Sequence, residues 1–198
     1  MNKLFLKYAL IIVIILPSLC FAQNYQTGDI IFQTSKSAQS MVIQKATHSP
    51  YSHMGMIVNM KGQYFVLEAI QPVQYTPLQQ WIKRGVQHGY VVKRYQKSLN
   101  LAQQQKLVKQ AEKYLGRPYD IYFEWSDDAI YCSEIVWKAY QDGLGIQLAP
   151  LKKLSSFDLS DAKVKALMKQ RYGLQIPLQE TVISPKDIFE SQQLLIGK

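Results

Sequence analysis

Two β-rich runs, YSHMGMIV (51–58) and QYFVLEAI (63–70), flank the short segment NMKG. Asn and Gly in so short a connection are turn residues, so the pair reads as a β-hairpin. Further strands read at GDIIFQ (28–33) and YVVKRY (90–95). Between them lie helical patterns. KSAQSMVIQKAT (36–47) is one. Thr76-Pro77 opens another, with Thr76 as N-cap and Pro77 in the first helical position. A third starts at Ser98 or Asn100 and carries Leu101, Leu107, Val108, Ala111, Tyr114 and Leu115 at spacings of three and four, until Gly116 ends it. A fourth follows Cys132 and is closed by Gly143 and Gly145. The tail holds a helix around 159–171 and a cap at Ser184-Pro185, with no evident chemistry. Strands and helices in this order predict an α+β fold, an antiparallel sheet with helices to one side.

Ahead of these elements the first 22 residues read as a secretory signal peptide. Lys3 and Lys7 precede an apolar run, Pro17 breaks it, and Cys20 and Ala22 supply the small residues that cleavage after Ala22 requires. An uncleaved anchor would need a run of about 20 apolar residues, longer than this one. A lipoprotein signal would need a small residue where bulky Leu19 stands. The expected organisation is a leader, 1–22, and a single domain, 23–198, in a periplasmic or secreted location. The 198 residues carry a formal charge of +9, and 47% of them are hydrophobic, enough for a core without staples. Removing the two leader lysines leaves 21 basic residues against 14 acidic ones, or +7. The basic residues are scattered, with no basic-aromatic interleaving, which argues against nucleic acid and leaves contact with an anionic membrane surface open.

Cleavage at Ala22 would leave one cysteine, Cys132, where a loop runs into a helix. An unpaired cysteine in an oxidising compartment is a buried hydrophobe or a reactive thiol. The first turn of a helix favours a thiolate, because its N–H groups carry partial positive charge. A nucleophilic thiolate also needs a base, ordinarily a histidine held by a third polar group. Of the three histidines, His48 and His88 sit in turn-like segments, whereas His53 begins the first hairpin strand. A two- or four-residue loop places His53 on the same face as Glu68, directly opposite or one diagonal step away; a three-residue loop separates them. A glutamate inside VLEAI needs a partner if buried. Gly55 leaves that face open to close packing. No set of His, Cys, Asp and Glu has metal-ligand spacing, and no phosphate loop or dinucleotide fingerprint appears, so no metal or other cofactor is expected.

The motifs THSPYSHMGMIV, VLEAI, GRPYD and YCSEIVWKAY, in that order, resemble the circularly permuted NlpC-type papain-like proteins, and within them the YiiX group of exported bacterial proteins. TGDIIFQ, TPLQQWI and IPLQETVISP extend the similarity over nearly the whole chain after the leader. The resemblance implies a papain-like core with rearranged chain order, histidine before cysteine. It implies Cys132 as nucleophile, His53 as general base and acid, Glu68 as the residue orienting the imidazole, and Tyr119 of GRPYD near the oxyanion site. The implied activity is a cysteine amidase or peptidase working through a thioester on a cell-envelope substrate, either a peptidoglycan peptide or an N-acyl or lipid bond. A non-catalytic lipid- or peptide-binding protein on the same fold is the alternative.

Overall fold

The computed structural model describes residues 24–197; the expected leader lies outside them. In chain order its elements are β1 (Ile30–Gln33), α1 (Ser40–Thr47), β2 (His53–Met60), β3 (Gln63–Glu68), β4 (Gln74–Pro77), α2 (Leu78–Lys83), β5 (Val91–Tyr95), α3 (Leu101–Glu112) and α4 (Cys132–Leu144). The tail adds β6 (Lys152–Lys153), α5 (Ala162–Tyr172), β7 (Thr181–Val182), α6 (Pro185–Phe189) and β8 (Leu194–Ile196). Among the described residues no helix is long and apolar enough to cross a membrane.

The hairpin forms around a two-residue turn. Met60 pairs with Gln63, and Lys61 and Gly62 both take positive φ, 52° and 86°. Such turns match the right-handed twist of the flanking strands, and glycine takes the second position without a Cβ penalty. Around this hairpin the main sheet runs β4-β3-β2-β1-β5-β8, with every neighbouring pair antiparallel.

Alternation along the strands sends side chains into two cores. Ile30, Phe32, Met54, Met56 and Leu67 face α3, α4 and α6, meeting Leu107, Ile135, Val136, Tyr140 and Ile188. Ile31, Ile57 and Val66 face the other way, onto Leu78 and Trp81 of α2. Helices therefore cover both faces, and the expectation of helices on one side is corrected: the apolar run of α2 folds back over the hairpin. A third cluster, Leu154, Val164, Met168 and Val182, joins α5 and the small β6-β7 sheet to α1.

Several helix limits differ from the sequence expectation for local reasons. Helix α1 begins at Ser40, after a bend, instead of at residue 36. Pro77 serves as N-cap of α2, and Thr76 stays in β4. Asn100 caps α3 through a capping box with Gln103, and the helix stops at Glu112, before the turn that ends in Gly116. Gly143 lies inside α4, not at its end. A Cβ there would stand 3.3 Å from the Lys106 carbonyl oxygen and 3.4 Å from the Leu107 Cα, so the glycine permits close packing of α3 on α4. Gly145, at φ 68°, is the left-handed residue that terminates α4. Asp161 caps α5, its side chain accepting from the Lys163 N–H, and Ser184 with Pro185 opens α6.

Candidate active site

His53 is the first residue of β2 and Glu68 the last of β3. The hairpin register places Glu68 across from Gly55, one diagonal step from His53 and on the same face. A Cβ on Gly55 would lie 2.4 Å from Val66 Cγ1, 2.9 Å from the Leu67 carbonyl oxygen and 3.2 Å from Glu68 Cβ. The absent side chain is what lets the glutamate reach the imidazole. His53 Nε2 donates to Glu68 Oε2 at 2.6 Å.

Glu68 is 0% exposed. Three further donors surround it. Thr76 Oγ1 donates to Oε1 at 2.5 Å, Trp81 Nε1 donates to Oε2 at 2.9 Å, and the Arg84 guanidinium pairs with Oε1. Burial by itself would raise the carboxyl's pKa. The hydrogen bond and charge of His53, then Arg84 and Thr76, outweigh it and hold the group below its ordinary value. Trp81 also stacks on the His53 ring, with centroids 5.9 Å apart and planes 25° from parallel.

Cys132 lies close enough to His53 to act on the titration of the imidazole. Burial lowers the histidine's pKa, but the bonds to Cys132 and Glu68 and their charges raise it further, to about 9. Cys132 is the first residue of α4, after the N-cap Tyr131, where the helix leaves its N–H groups without intrahelical partners. The residue is 2% exposed, yet it lines an apolar cavity. His53 and Cys132, 79 residues apart (132 − 53), are joined here because α4 packs directly on β2.

Tyr119 lines the same cavity as Cys132. Its phenol oxygen accepts from Gln39 Nε2 at 2.8 Å, and its backbone N–H donates to Gln71 Oε1 at 2.7 Å. Since the phenol accepts from Gln39, its own hydrogen remains available to donate. Burial first, then the nearby Cys132 charge, pushes its pKa well above the ordinary value, so the proton stays on. Arg171 Nη2 donates to Gln39 Oε1 at 2.7 Å and fixes that amide from behind.

The structure thus hydrogen-bonds Glu68 to His53 and brings Cys132 near the imidazole, with Tyr119 lining the cysteine's cavity. It keeps the other two histidines apart. His48 is an exposed left-handed C-cap of α1 paired with Asp158 at 3.0 Å, and His88 is an exposed turn residue. Sequence reasoning missed Trp81 and Arg84, and read Thr76 as a cap. Their signal was present, because Trp81 and Arg84 stand three residues apart and so share a face. The tail, read as chemically silent, supplies Phe157, Val182 and Ile183 to the cavity wall. It is pinned to the start of α4, where Ser133 Oγ donates to the Ile183 carbonyl at 2.8 Å and the Ile183 N–H donates to the Tyr131 hydroxyl at 3.1 Å.

Comparison with known proteins agrees with this architecture. The uncharacterized protein YiiX of Escherichia coli K12 is 52% identical over 190 residues, covering 96% of this chain and 94% of that one. The crystal structure of an Escherichia coli O157:H7 protein, described as metalloprotein yiiX, superposes with a TM-score of 0.84 at 54% identity, over 86% of this chain and 95% of that one. The family described as permuted papain-like amidase enzymes, YaeF/YiiX, C92, matches residues 24–196, and with histidine preceding cysteine on a papain-like α+β core the chain belongs to that family.

Proposed function

We propose that this chain is an exported cysteine amidase in which Cys132 attacks, His53 moves the proton and Glu68 holds the imidazole. The observation that carries the reading is the 2.6 Å bond from His53 to a fully buried, four-fold bonded carboxylate, with Cys132 close enough to the imidazole to raise its pKa. The raised histidine pKa favours an imidazolium beside the sulfur, the partner a nucleophilic thiol requires.

In the reaction the sulfur bonds to an amide carbonyl carbon. The oxygen's developing charge meets the Tyr119 hydroxyl and the Cys132 N–H, a first-turn group without an intrahelical partner. His53 gives its proton to the departing nitrogen as the C–N bond breaks, leaving a thioester on Cys132. Water then loses a proton to His53 and attacks the thioester. The carboxylic acid leaves and the thiolate–imidazolium pair returns. Glu68 keeps its charge throughout and stabilises the imidazolium without accepting its proton. The basic leader, residues 1–22, supports export and an envelope substrate.

The related Escherichia coli structure is described as a metalloprotein. In this chain no group of three or more His, Cys, Asp and Glu among the described residues is arranged to hold a metal ion. The His53–Glu68 pair is closed by its own 2.6 Å bond, and the Arg84 guanidinium already occupies the carboxylate. The residues do not fit a metal.

The test is labelling with a thiol-directed electrophile at pH 6. Wild type is expected to react rapidly at Cys132, Cys132→Ala not at all, and His53→Ala at least tenfold more slowly. Equal rates for wild type and His53→Ala would mark an inert thiol and a binding protein on the same fold.

A further inference from the structure

Arg171, in the last turn of α5, reaches the site from the tail. It is one end of a chain of three side chains drawn from three separate segments. Its Nη2 donates to Gln39 Oε1 at 2.7 Å, and Gln39 Nε2 donates to the Tyr119 phenol oxygen at 2.8 Å. Gln39 is the N-cap residue of α1, yet its side chain makes no capping bond and is committed to this chain instead.

Each link runs in one direction only. A guanidinium carries donors and no acceptor, so the amide must turn its oxygen to Arg171. Its NH2 group is then left for Tyr119. That group only donates, so the phenol oxygen accepts and the phenol hydrogen cannot point back at Gln39. Burial keeps that proton on, and the O–H is free to donate on the side of the cavity that Tyr119 shares with Cys132. Successive links of such a chain also polarise one another, which makes the last O–H a stronger donor.

The cation at the far end is not neutralised by a contact. Among the described residues Arg171 forms no ion pair, and its buried Nη1 has no hydrogen-bond partner. Its guanidinium carbon lies 5.3 Å from the centre of the Phe123 ring. Phe123 in turn packs edge-on against Tyr131, the N-cap of the cysteine helix, with centroids 5.2 Å apart. A cation so placed, with no carboxylate in contact, is stabilised when negative charge develops nearby.

Resting on the amidase reading above, we infer that Gln39 and Arg171 are positioning residues of the oxyanion site, through which a cation of the tail acts on the tetrahedral intermediate. Arg171 fixes the amide, the amide fixes the phenol, and the phenol O–H meets the substrate oxygen as the carbonyl electrons move onto it. No proton travels along the chain; each hydrogen stays on its own nitrogen or oxygen.

The experiment uses two reagents that differ in whether an oxyanion forms. Iodoacetamide alkylates Cys132 by displacement at a saturated carbon, with no oxyanion. p-Nitrophenyl acetate acylates it through a tetrahedral intermediate. The ratio of acylation to alkylation rates, followed by p-nitrophenolate release and intact mass with Cys132→Ala as background, separates the oxyanion site from the thiol's own reactivity. Gln39→Glu keeps the shape of the side chain, but its carboxylate accepts from the phenol and draws the O–H away from the cavity. It is expected to lower the ratio about 10²-fold, as loss of one oxyanion donor does, and Tyr119→Phe is expected to match it. Gln39→Glu added to Tyr119→Phe is expected to cost nothing more, because the group it acts through is gone. Arg171→Met, which lets the amide turn, is expected to lower the ratio about tenfold, and Arg171→Lys to recover part of that loss. An unchanged ratio in Gln39→Glu, a full further loss in the double variant, or Arg171→Lys no better than Arg171→Met overturns the inference while alkylation of Cys132 leaves the amidase reading standing. Wild type that neither alkylates nor acylates above the Cys132→Ala background overturns both.

Discussion

Glu68 shows how one side chain sets the chemistry of another. It is buried, so its charge is tolerated only because His53, Thr76, Trp81 and Arg84 all donate to it. The same bonds tie its titration to that of the histidine. The folded-state pKa of His53 is raised from 6.5 to about 9, so its contribution to stability is complete below about 6.5 and is lost as pH rises through about 9. Glu68 is lowered from 4.5, so its contribution is present above that value and disappears as pH falls through the lower folded one. The charged pair is therefore native-stabilising between these limits, and the alkaline limb of a kcat/KM profile is expected near 9. Glu68→Gln removes the charge that holds the imidazolium. Its limb is expected to move toward 6.5, with activity reduced roughly 10²–10⁴-fold. Breaking a buried pair of this kind also costs about 3–5 kcal/mol, read as a lower urea midpoint. A limb that stays near 9 in the variant would mean that Cys132 alone sustains the histidine's pKa.

The hairpin is the element on which this geometry depends, and Gly55 is its tightest point. Alanine there would place a methyl against Val66 and against backbone at Leu67, which cannot swing aside as the end of a flexible side chain can. Gly55→Ala is expected to destabilise by about 1–3 kcal/mol. Because Glu68 Cβ stands next to the same spot, kcat should fall along with the denaturation midpoint. A full loss of stability with unchanged kcat would show that the strands part without moving the carboxylate. Much of this element was legible in the sequence. The turn residues located the hairpin, and strand parity reduced the relation of His53 to Glu68 to the length of one loop. What was illegible depended on distance. Thr76 before Pro77 satisfies a local capping rule, but a buried carboxylate across the sheet is the stronger claimant for its hydroxyl. Trp81 was missed because its indole N–H finds Glu68 only after α2 has folded over the hairpin. Gly143 looked like a stop because a sequence does not show α3 lying against it. The strands of the tail are two or three residues long, too short to carry a period.

At the scale of the molecule the tail decides whether there is a protein at all. Strand β8 extends the main sheet beyond β5, and Ile183, Ile188 and Leu194 are buried in the same core as the hairpin and the cysteine helix. Phe189 packs edge-on against Phe32, centroids 5.2 Å apart, and Lys152 pairs with Asp187 at 2.5 Å. Each fully buried aliphatic side chain contributes about 1.5–3 kcal/mol. Three of them together approach the whole net stability of an ordinary domain, about 5–15 kcal/mol, before the pairing of β8 is counted. A chain ended at Pro150 is therefore expected to lose its cooperative thermal transition outright, not to melt a few degrees lower. Differential scanning calorimetry of the truncated and full-length proteins decides it. A sharp transition within a few degrees of full length would mean that residues 24–150 fold by themselves, and that the tail is a separable cover laid over the site. The expected collapse would instead make the cavity beside Cys132 inseparable from the fold, because the segment forming much of its wall also completes the core.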